Sequence, residues 1–311
     1  MKLWVGVTDN EWFDIVSHVP GIDEVNFWQP GGGSRAFHAL QIGEPFLFKL
    51  HSPYSFIVGG GFFAHWTRLP ISLAWEAFAE KNGANSYSDM RRLITRRRGQ
   101  EIGRYEDFQI GCVLLEQPFF FEKSDWIPAP PDWRPAIQQG KQYALDEAPG
   151  KDLWESVQIK LSTKGKPWLQ PQRTEEGPRY GAPVTVKQRL GQGSFRILVT
   201  DAYHRACAIT EEHSLPALEA AHIKPFNESG PHAINNGLLL RSDFHRLFDR
   251  GYITVTPEYK IEVSRRLKEE FENGRSYYPF HGRPLNHFPE AAQDRPLKEL
   301  LIWHNENAFR R

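Results

Sequence analysis

The segment from His222 to Asp249 constrains this chain more than any other. It holds AAHIKPF, NNGLLL and RSDFHRLFD in that order, so a histidine, an asparagine and a second histidine fall within 24 residues. Gly237 and the apolar run Leu238 to Leu240 give a turn into a buried segment. SDFHRLFD sets His245 and Asp249 four residues apart, on one face of a helix, with Ser242 as the expected cap. The spacing predicts a strand carrying His222, a loop, a buried run and a short helix.

These residue types suit phosphodiester hydrolysis. An imidazole at His222 can act as general base toward water, and Asn236 can pin the intervening loop through its side-chain amide. His245 can hold a divalent cation, with Asp249 one turn away as a second ligand, to stabilise the phosphate charge and the departing 3′ oxygen. With twelve histidines in the chain, each one taken alone fits a satisfied core or surface position equally well. The argument rests on their order and spacing.

Over residues 202 to 253 the chain resembles the HNH endonucleases, the ββα-metal nucleases. The resemblance extends upstream through RLGQGSFRILVTDAYHRACAIT, where Leu190, Phe195 and Tyr203 look like the lead-in of many such proteins. It implies His222 as general base, Asn236 as the loop-ordering residue, His245 as a metal ligand, and Mg2+ or Mn2+ as cofactor. Many relatives carry Asp or His just before the base, where this chain has Ala221. Asp249 is the first candidate for the second ligand and Glu219 the next. Many HNH domains are also clamped by Cys-x-x-Cys zinc knuckles. Here only Cys112 and Cys207 occur, so no structural zinc is expected and apolar packing must hold the core. Cys207 is expected as a small buried hydrophobe.

A chain of 311 residues allows two domains. No apolar run approaches the roughly 20 residues of a membrane span, and the N-terminus lacks the order of a signal peptide, so a cytoplasmic location is expected. The 38 basic and 38 acidic residues balance, so DNA binding must come from local patches. Arg91, Arg92, Arg96, Arg97 and Arg98 form either such a patch or a solvated helix surface. Prolines in IPAPP and at Pro167, Pro171 and Pro178 mark a connector over 126–180, before a nuclease domain over 181–311. Its Trp126, Trp133, Tyr143, Trp154 and Trp168 predict that part of it packs as a strap. After the nuclease helix, YITVTPEYKIEVS predicts a hairpin extending the nuclease sheet. The closing helix is expected to turn Leu297, Leu300, Leu301 and Trp303 inward, with His304 either in a structural hydrogen bond or near the metal site.

Residues 1–125 hold short apolar and aromatic runs, KLWVGVT, PFLFKL, FIVGGGFFA and QIGCVLL, in the pattern of a small barrel. Helices are expected at Asn10 to Val16 and at Ser72 to Lys81, the second capped by Ser72. The ordered motifs EVNFWQPGGG, FHALQIGEPFLFKLHSP, IVGGGFFAHW, LPISLAWEAF and IGCVLLEQPFFF resemble the EVE-type domain of the PUA-like superfamily. The whole chain is then α+β: a PUA-like β-barrel with helical insertions followed by a ββα-metal domain. The paired resemblances imply a modification-dependent DNA endonuclease. Its partner would be double-stranded DNA bearing 5-methyl- or 5-hydroxymethylcytosine, with a homodimer as one route to double-strand cleavage. Such a reader would flip the base between aromatic walls, with Trp28 and Trp66 as walls and Asn26 as polar reader; each fits core packing as well. Two rival readings are a nucleic-acid binding module with an inactive nuclease domain, and a structure-specific nuclease.

Overall fold

The computed structural model describes residues 1–31, 36–99, 103, 106–163 and 191–311. Pro167, Trp168, Pro171, Pro178 and Leu190 lie outside them. Chain contacts divide the protein into two compact units, Met1–Lys187 and Gln188–Arg311. Both mix helix with sheet. No helix among the described residues is long and apolar enough to cross a membrane.

The first unit is built on strands β1 (Lys2–Thr8), β2 (Glu24–Gln29), β3 (Pro45–Leu50), β4 (Phe56–Pro70), β5 (Gln109–Phe120), β6 (Ile127–Pro128) and β7 (Gly140–Ala144). Its helices are α1 (Asn10–Val16), α2 (Ile71–Phe78), α3 (Tyr87–Arg98) and α4 (Gly150–Thr163). The strands form one sheet in the order β2-β5-β4-β3-β1-β7, with β6 paired to β4. Only β1 and β3 pair in parallel. The path has two ends, β2 and β7, and no pairing among the described residues joins them. No closed barrel is therefore shown among the described residues. Short apolar runs signal that a strand is covered, and they carry no information on whether the sheet closes.

Strand β3 shows why the runs are apolar throughout. Phe46, Phe48 and Leu50 enter one core with Trp12, Phe13 and Val16 of α1. Leu47 enters the other with Leu153, Val157 and Leu161 of α4. A sheet covered on both faces replaces the alternation of a half-exposed one with continuous hydrophobicity. The three α4 residues recur every fourth position, and burying each contributes about 1.5–3 kcal/mol. The stretch expected as a connector thus supplies β6, β7 and α4 to this unit, and a fragment ending at 125 would strip one sheet face.

Three local expectations change. Helix α2 starts at Ile71 without a side-chain cap; Ser72 instead donates from Oγ to Asp107 at 2.6 Å, while its N–H meets the same carboxylate at 3.0 Å. The α-helix gives way after Phe78, where Ala79 takes a positive φ of 44°, to a 3-10 turn over Ala79–Asn82. The arginines of α3 are largely engaged inside the unit: Arg96 with Glu11, Arg97 with Asp9, Arg91 with the carbonyls of Gly103 and Glu106, and Arg98 with those of Pro30 and Gln109.

The second unit holds α5 (Gln192–Ala202), β8 (Leu218–His222), β9 (Gly237–Arg241), α6 (Ser242–Asp249), β10 (Ile253–Val255), β11 (Ile261–Val263), α7 (Arg266–Phe271) and α8 (Lys298–Asn307). One core joins Phe195 and Val199 of α5, and Tyr203 that follows it, to Ala221, Leu238 to Leu240, Phe244, Phe248 and Leu301. Cys207 lies in it, fully buried, its Sγ accepting from the Arg241 N–H at 3.2 Å. The β10–β11 hairpin forms a separate two-stranded sheet and does not extend β8–β9. On α8, Leu301 and His304 are buried, whereas Leu297, expected inward, is 40% exposed. It precedes the helix and its N–H donates to the Asn235 carbonyl. His304 stacks on Phe248 at 3.8 Å. Its Nδ1 lies 2.8 Å from Thr254 Oγ1 and its Nε2 3.3 Å from the Phe248 carbonyl, the partners of a neutral ring.

Two stability predictions follow from this packing. A Cβ at Gly60 would sit 2.6 Å from the Phe46 carbonyl oxygen and 2.8 Å from Leu47 and Phe119 side-chain carbons, whereas at Gly31 it would meet nothing within 4 Å. Gly60→Ala should destabilise the first unit by about 1–3 kcal/mol and Gly31→Ala should not, read by thermal melting. Burial holds His304 down at about 4 against an ordinary 6.5, despite opposing help from the Phe248 carbonyl and Asp249. Below 6.5 the unfolded chain therefore takes up a proton that the folded unit refuses, and stability should fall as pH drops toward 4. Melting curves of wild type across that window should steepen in pH dependence relative to His304→Gln; parallel curves would exclude His304 as the cause.

Candidate active site

Strands β8 and β9 pair antiparallel with His222 opposite Gly237 and Glu219 opposite Leu240. Gly237 is extended, and its role is space: a Cβ there would fall 2.4 Å from Val199 Cγ2 and 3.2 Å from Phe195 Cζ. The strand therefore lies tight on α5. That contact puts the Phe195 ring parallel to His222, with centroids 3.8 Å apart at 12°.

The loop between the strands is held by one amide. Asn236 is fully buried. Its Oδ1 accepts from the Lys224 N–H at 2.9 Å, and its Nδ2 donates to the carbonyls of Lys224 at 2.9 Å and Pro231 at 2.8 Å. These bonds tie the start of the loop and its Pro231 to the residue that ends it, and give partners to one backbone N–H and two carbonyls.

Helix α6 follows β9 directly. Ser242 does not cap it: Arg241 occupies the cap position and no side chain accepts there. Arg241 instead grips Asp243 through two bonds of 2.7 and 2.8 Å, which fixes the first turn. One turn later His245 lies between two carboxylates. Its Nδ1 is 2.6 Å from Glu219 Oε2 and its Nε2 is 3.3 Å from Asp249 Oδ2. Ala221 is fully buried. By strand alternation Glu219 shares its side of β8, so a carboxylate two residues upstream stands on the side where Ala221 offers none.

The two imidazoles are tuned in opposite directions. Burial lowers His222 to about 4, helped by His232 and His245 and only partly offset by Asp249. Burial also works against charge on His245, but Asp249 and Glu219 together outweigh it and raise its pKa. At neutral pH His222 is an uncharged ring with a lone pair, while His245 sits in a negative setting suited to a cation. Imidazole nitrogen with carboxylate oxygen is a donor set that divalent metals accept. Among the described residues no group of three or more His, Cys, Asp or Glu side chains is gathered closely enough to enclose a metal ion. His245 and Asp249 fit as an open pair, and Glu219 on Nδ1 fits as the outer carboxylate that orients a ligating histidine.

His232, which sequence reasoning did not single out, lies in the clamped loop with its Nδ1 3.2 Å from His222 Nε2. A lone histidine in GPHAINN has no periodic signature. Phe226, 66% exposed, stacks on it at 4.5 Å.

In the first unit, Asn26 is fully buried, its Nδ2 donating to Asn82 Oδ1 at 2.9 Å and to Cys112 Sγ at 3.3 Å. Its amide is not presented to a base. Trp28 donates to the Asn82 carbonyl at 2.8 Å and Trp66 to Gln29 Oε1 at 3.2 Å. Trp66 lines an open cleft of about 290 Å³ shared with Phe37, His38, Leu40, Ile42 and Phe63. Asn26 and Trp28 are not among the residues that line this cleft.

Residues 207–256 match the HNH_2 family model, described as HNH endonuclease. No curated protein matches the chain. The matched segment contains β8, the clamped loop, β9, α6 and β10. The chain carries an HNH endonuclease domain and is a nuclease, a phosphodiester hydrolase.

The clamp can be tested without substrate. Asn236→Ala leaves the Lys224 N–H and two carbonyls without their partner, so the second unit should lose about 1–3 kcal/mol and the loop 223–236 should become the first site of limited proteolysis. Unchanged melting and cleavage pattern would show that the loop is held by other contacts.

Proposed function

We propose that this protein is a modification-dependent DNA endonuclease in which His222 is the general base and His245 with Asp249 holds one divalent ion. The observation that carries the nuclease half is the pairing of a neutral, half-buried His222 with the carboxylate-flanked His245 of α6. A bound Mg2+ or Mn2+ would supply electrostatic stabilisation of the phosphate and the departing 3′ oxygen. The side chains do the rest. His222, wedged against Phe195 and unprotonated at neutral pH, takes a proton from the attacking water at Nδ1. Asn236 keeps the loop beside it in place, and Glu219 orients His245 through Nδ1. The carboxylate of Glu219 speaks against an inactive nuclease, the rival that Ala221 raised.

The reading of the first unit as a selector of modified cytosine is supported by its motif order and by the aromatic cleft at Trp66. Trp66 is the wall we retain, since Asn26 is engaged by Asn82 and Cys112. Parallel digestion of plain, methylated, hydroxymethylated and glucosylated duplexes tests it. Equal cutting of all four would leave a nuclease without a modification reader.

For the nuclease half, His222→Ala should cost about 100- to 10,000-fold in cleavage while DNA affinity holds. His245→Ala should weaken Mn2+ binding in titration calorimetry, with Asp249→Asn weaker in effect. Near-normal cutting by the first variant removes His222 from the chemistry, and unchanged Mn2+ affinity in both others removes α6 as the metal-bearing element.

A further inference from the structure

His222 has two ring nitrogens, and a neutral ring can be a base at only one. If the proton resides on Nε2, Nδ1 carries the lone pair and can take a proton from water; with the proton on Nδ1 that nitrogen is blocked. The partner of Nε2 decides which form is populated. In this protein that partner is another imidazole, His232 Nδ1 at 3.2 Å.

We propose that His232 is a positioning residue for His222: its Nδ1 accepts a hydrogen bond from His222 Nε2–H, fixing the tautomer that leaves His222 Nδ1 basic. This rests on the reading of His222 as the base. The contact is built from several sides. Phe195 fixes the plane of the His222 ring at 3.8 Å and Phe226 that of His232 at 4.5 Å, and the two imidazoles meet edge to face, 78° apart with centroids at 5.0 Å. His232 follows Pro231, whose carbonyl is held by Asn236 Nδ2 at 2.8 Å. The asparagine clamp thereby sets the position of the acceptor as well as the loop. When His222 takes the proton of water on Nδ1 it becomes an imidazolium, and its Nε2–H bond to His232 strengthens as a charge-assisted one. His232 accepts the bond and not the proton, so His222 returns to the same tautomer once Nδ1 releases its proton to solvent.

The test joins kinetics to tautomer spectroscopy on the full chain with Mg2+. His232→Ala should lower kcat by about 10- to 100-fold, the usual cost of losing an orienting partner, with little change in KM. His232→Asn, which keeps an acceptor oxygen at the same branch, should recover most of it. Long-range 1H–15N spectra, with the His222 signals assigned by their loss in His222→Gln, should show protonated Nε2 and bare Nδ1 in wild type and in His232→Asn. Protonated Nδ1 in wild-type His222, or an alanine variant with wild-type kcat, would overturn the proposal. Should His232→Ala fail to fold, the wild-type and His232→Asn spectra decide alone. Failure of the base reading looks different: wild type and His222→Gln would cut DNA equally, whatever the tautomer.

Discussion

The amide of Asn236 is the constraint on which the nuclease unit turns. A strand and a helix can be specified by local patterning, but the loop that joins β8 to β9 has no ladder of its own and buries backbone groups at both ends. One side chain with a carbonyl and an NH2 answers both, through Lys224 and Pro231. Because the loop leaves directly from His222 and returns directly into Gly237, its closure fixes the register in which the histidine faces Phe195. No single aliphatic residue could do this, since the requirement is for one acceptor and two donors in one side chain.

The site then divides two identical side-chain chemistries by environment. His222 and His245 begin with the same intrinsic affinity for protons. An aromatic wall and a second imidazole push the first toward neutrality, whereas two carboxylates draw the second toward positive charge. A base must be uncharged to accept a proton, and a cation-binding position must be electronegative to hold an ion. One short hairpin and one short helix separate those demands because they place aromatic rings on one imidazole and carboxylates on the other.

What the sequence made legible was whatever repeats over a short distance. The four-residue interval between His245 and Asp249 predicted a shared helix face, and α6 places their side chains 3.3 Å apart. The stretch 10–16 is helical over the expected bounds because the turn that begins it is capped locally by Asp9. Contacts between distant positions were not legible. Ser72 binds Asp107 across 35 residues, and Glu219, named only as a second-choice ligand, contacts Nδ1 of His245 itself across 26. His232 is a solitary residue in a loop, meaningful only once the fold brings it to His222. The open sheet order of the first unit and the packing of β6, β7 and α4 from 126–163 onto it were likewise out of reach. Apolar runs report that a strand is covered, while sheet order and the helix that covers it are properties of the whole unit. Asn26 shows the converse: a polar residue beside aromatics has the look of a recognition group, yet its partners Asn82 and Cys112 lie 56 and 86 residues away.

The closeness of α5 to β9 bears on how this nuclease could be moved between proteins. The recognisable HNH segment begins at Cys207, yet the ring that steadies His222 belongs to Phe195, and Val199 fills the space that Gly237 leaves open. At the other end Phe248 of α6 is stacked on His304 of α8. A transplant cut at the edges of the recognisable motif would carry His222, Asn236, His245 and Asp249 and leave behind Phe195 and His304. The packed module is therefore larger than its signature, and α5 and α8 belong to it along with the motif's own residues.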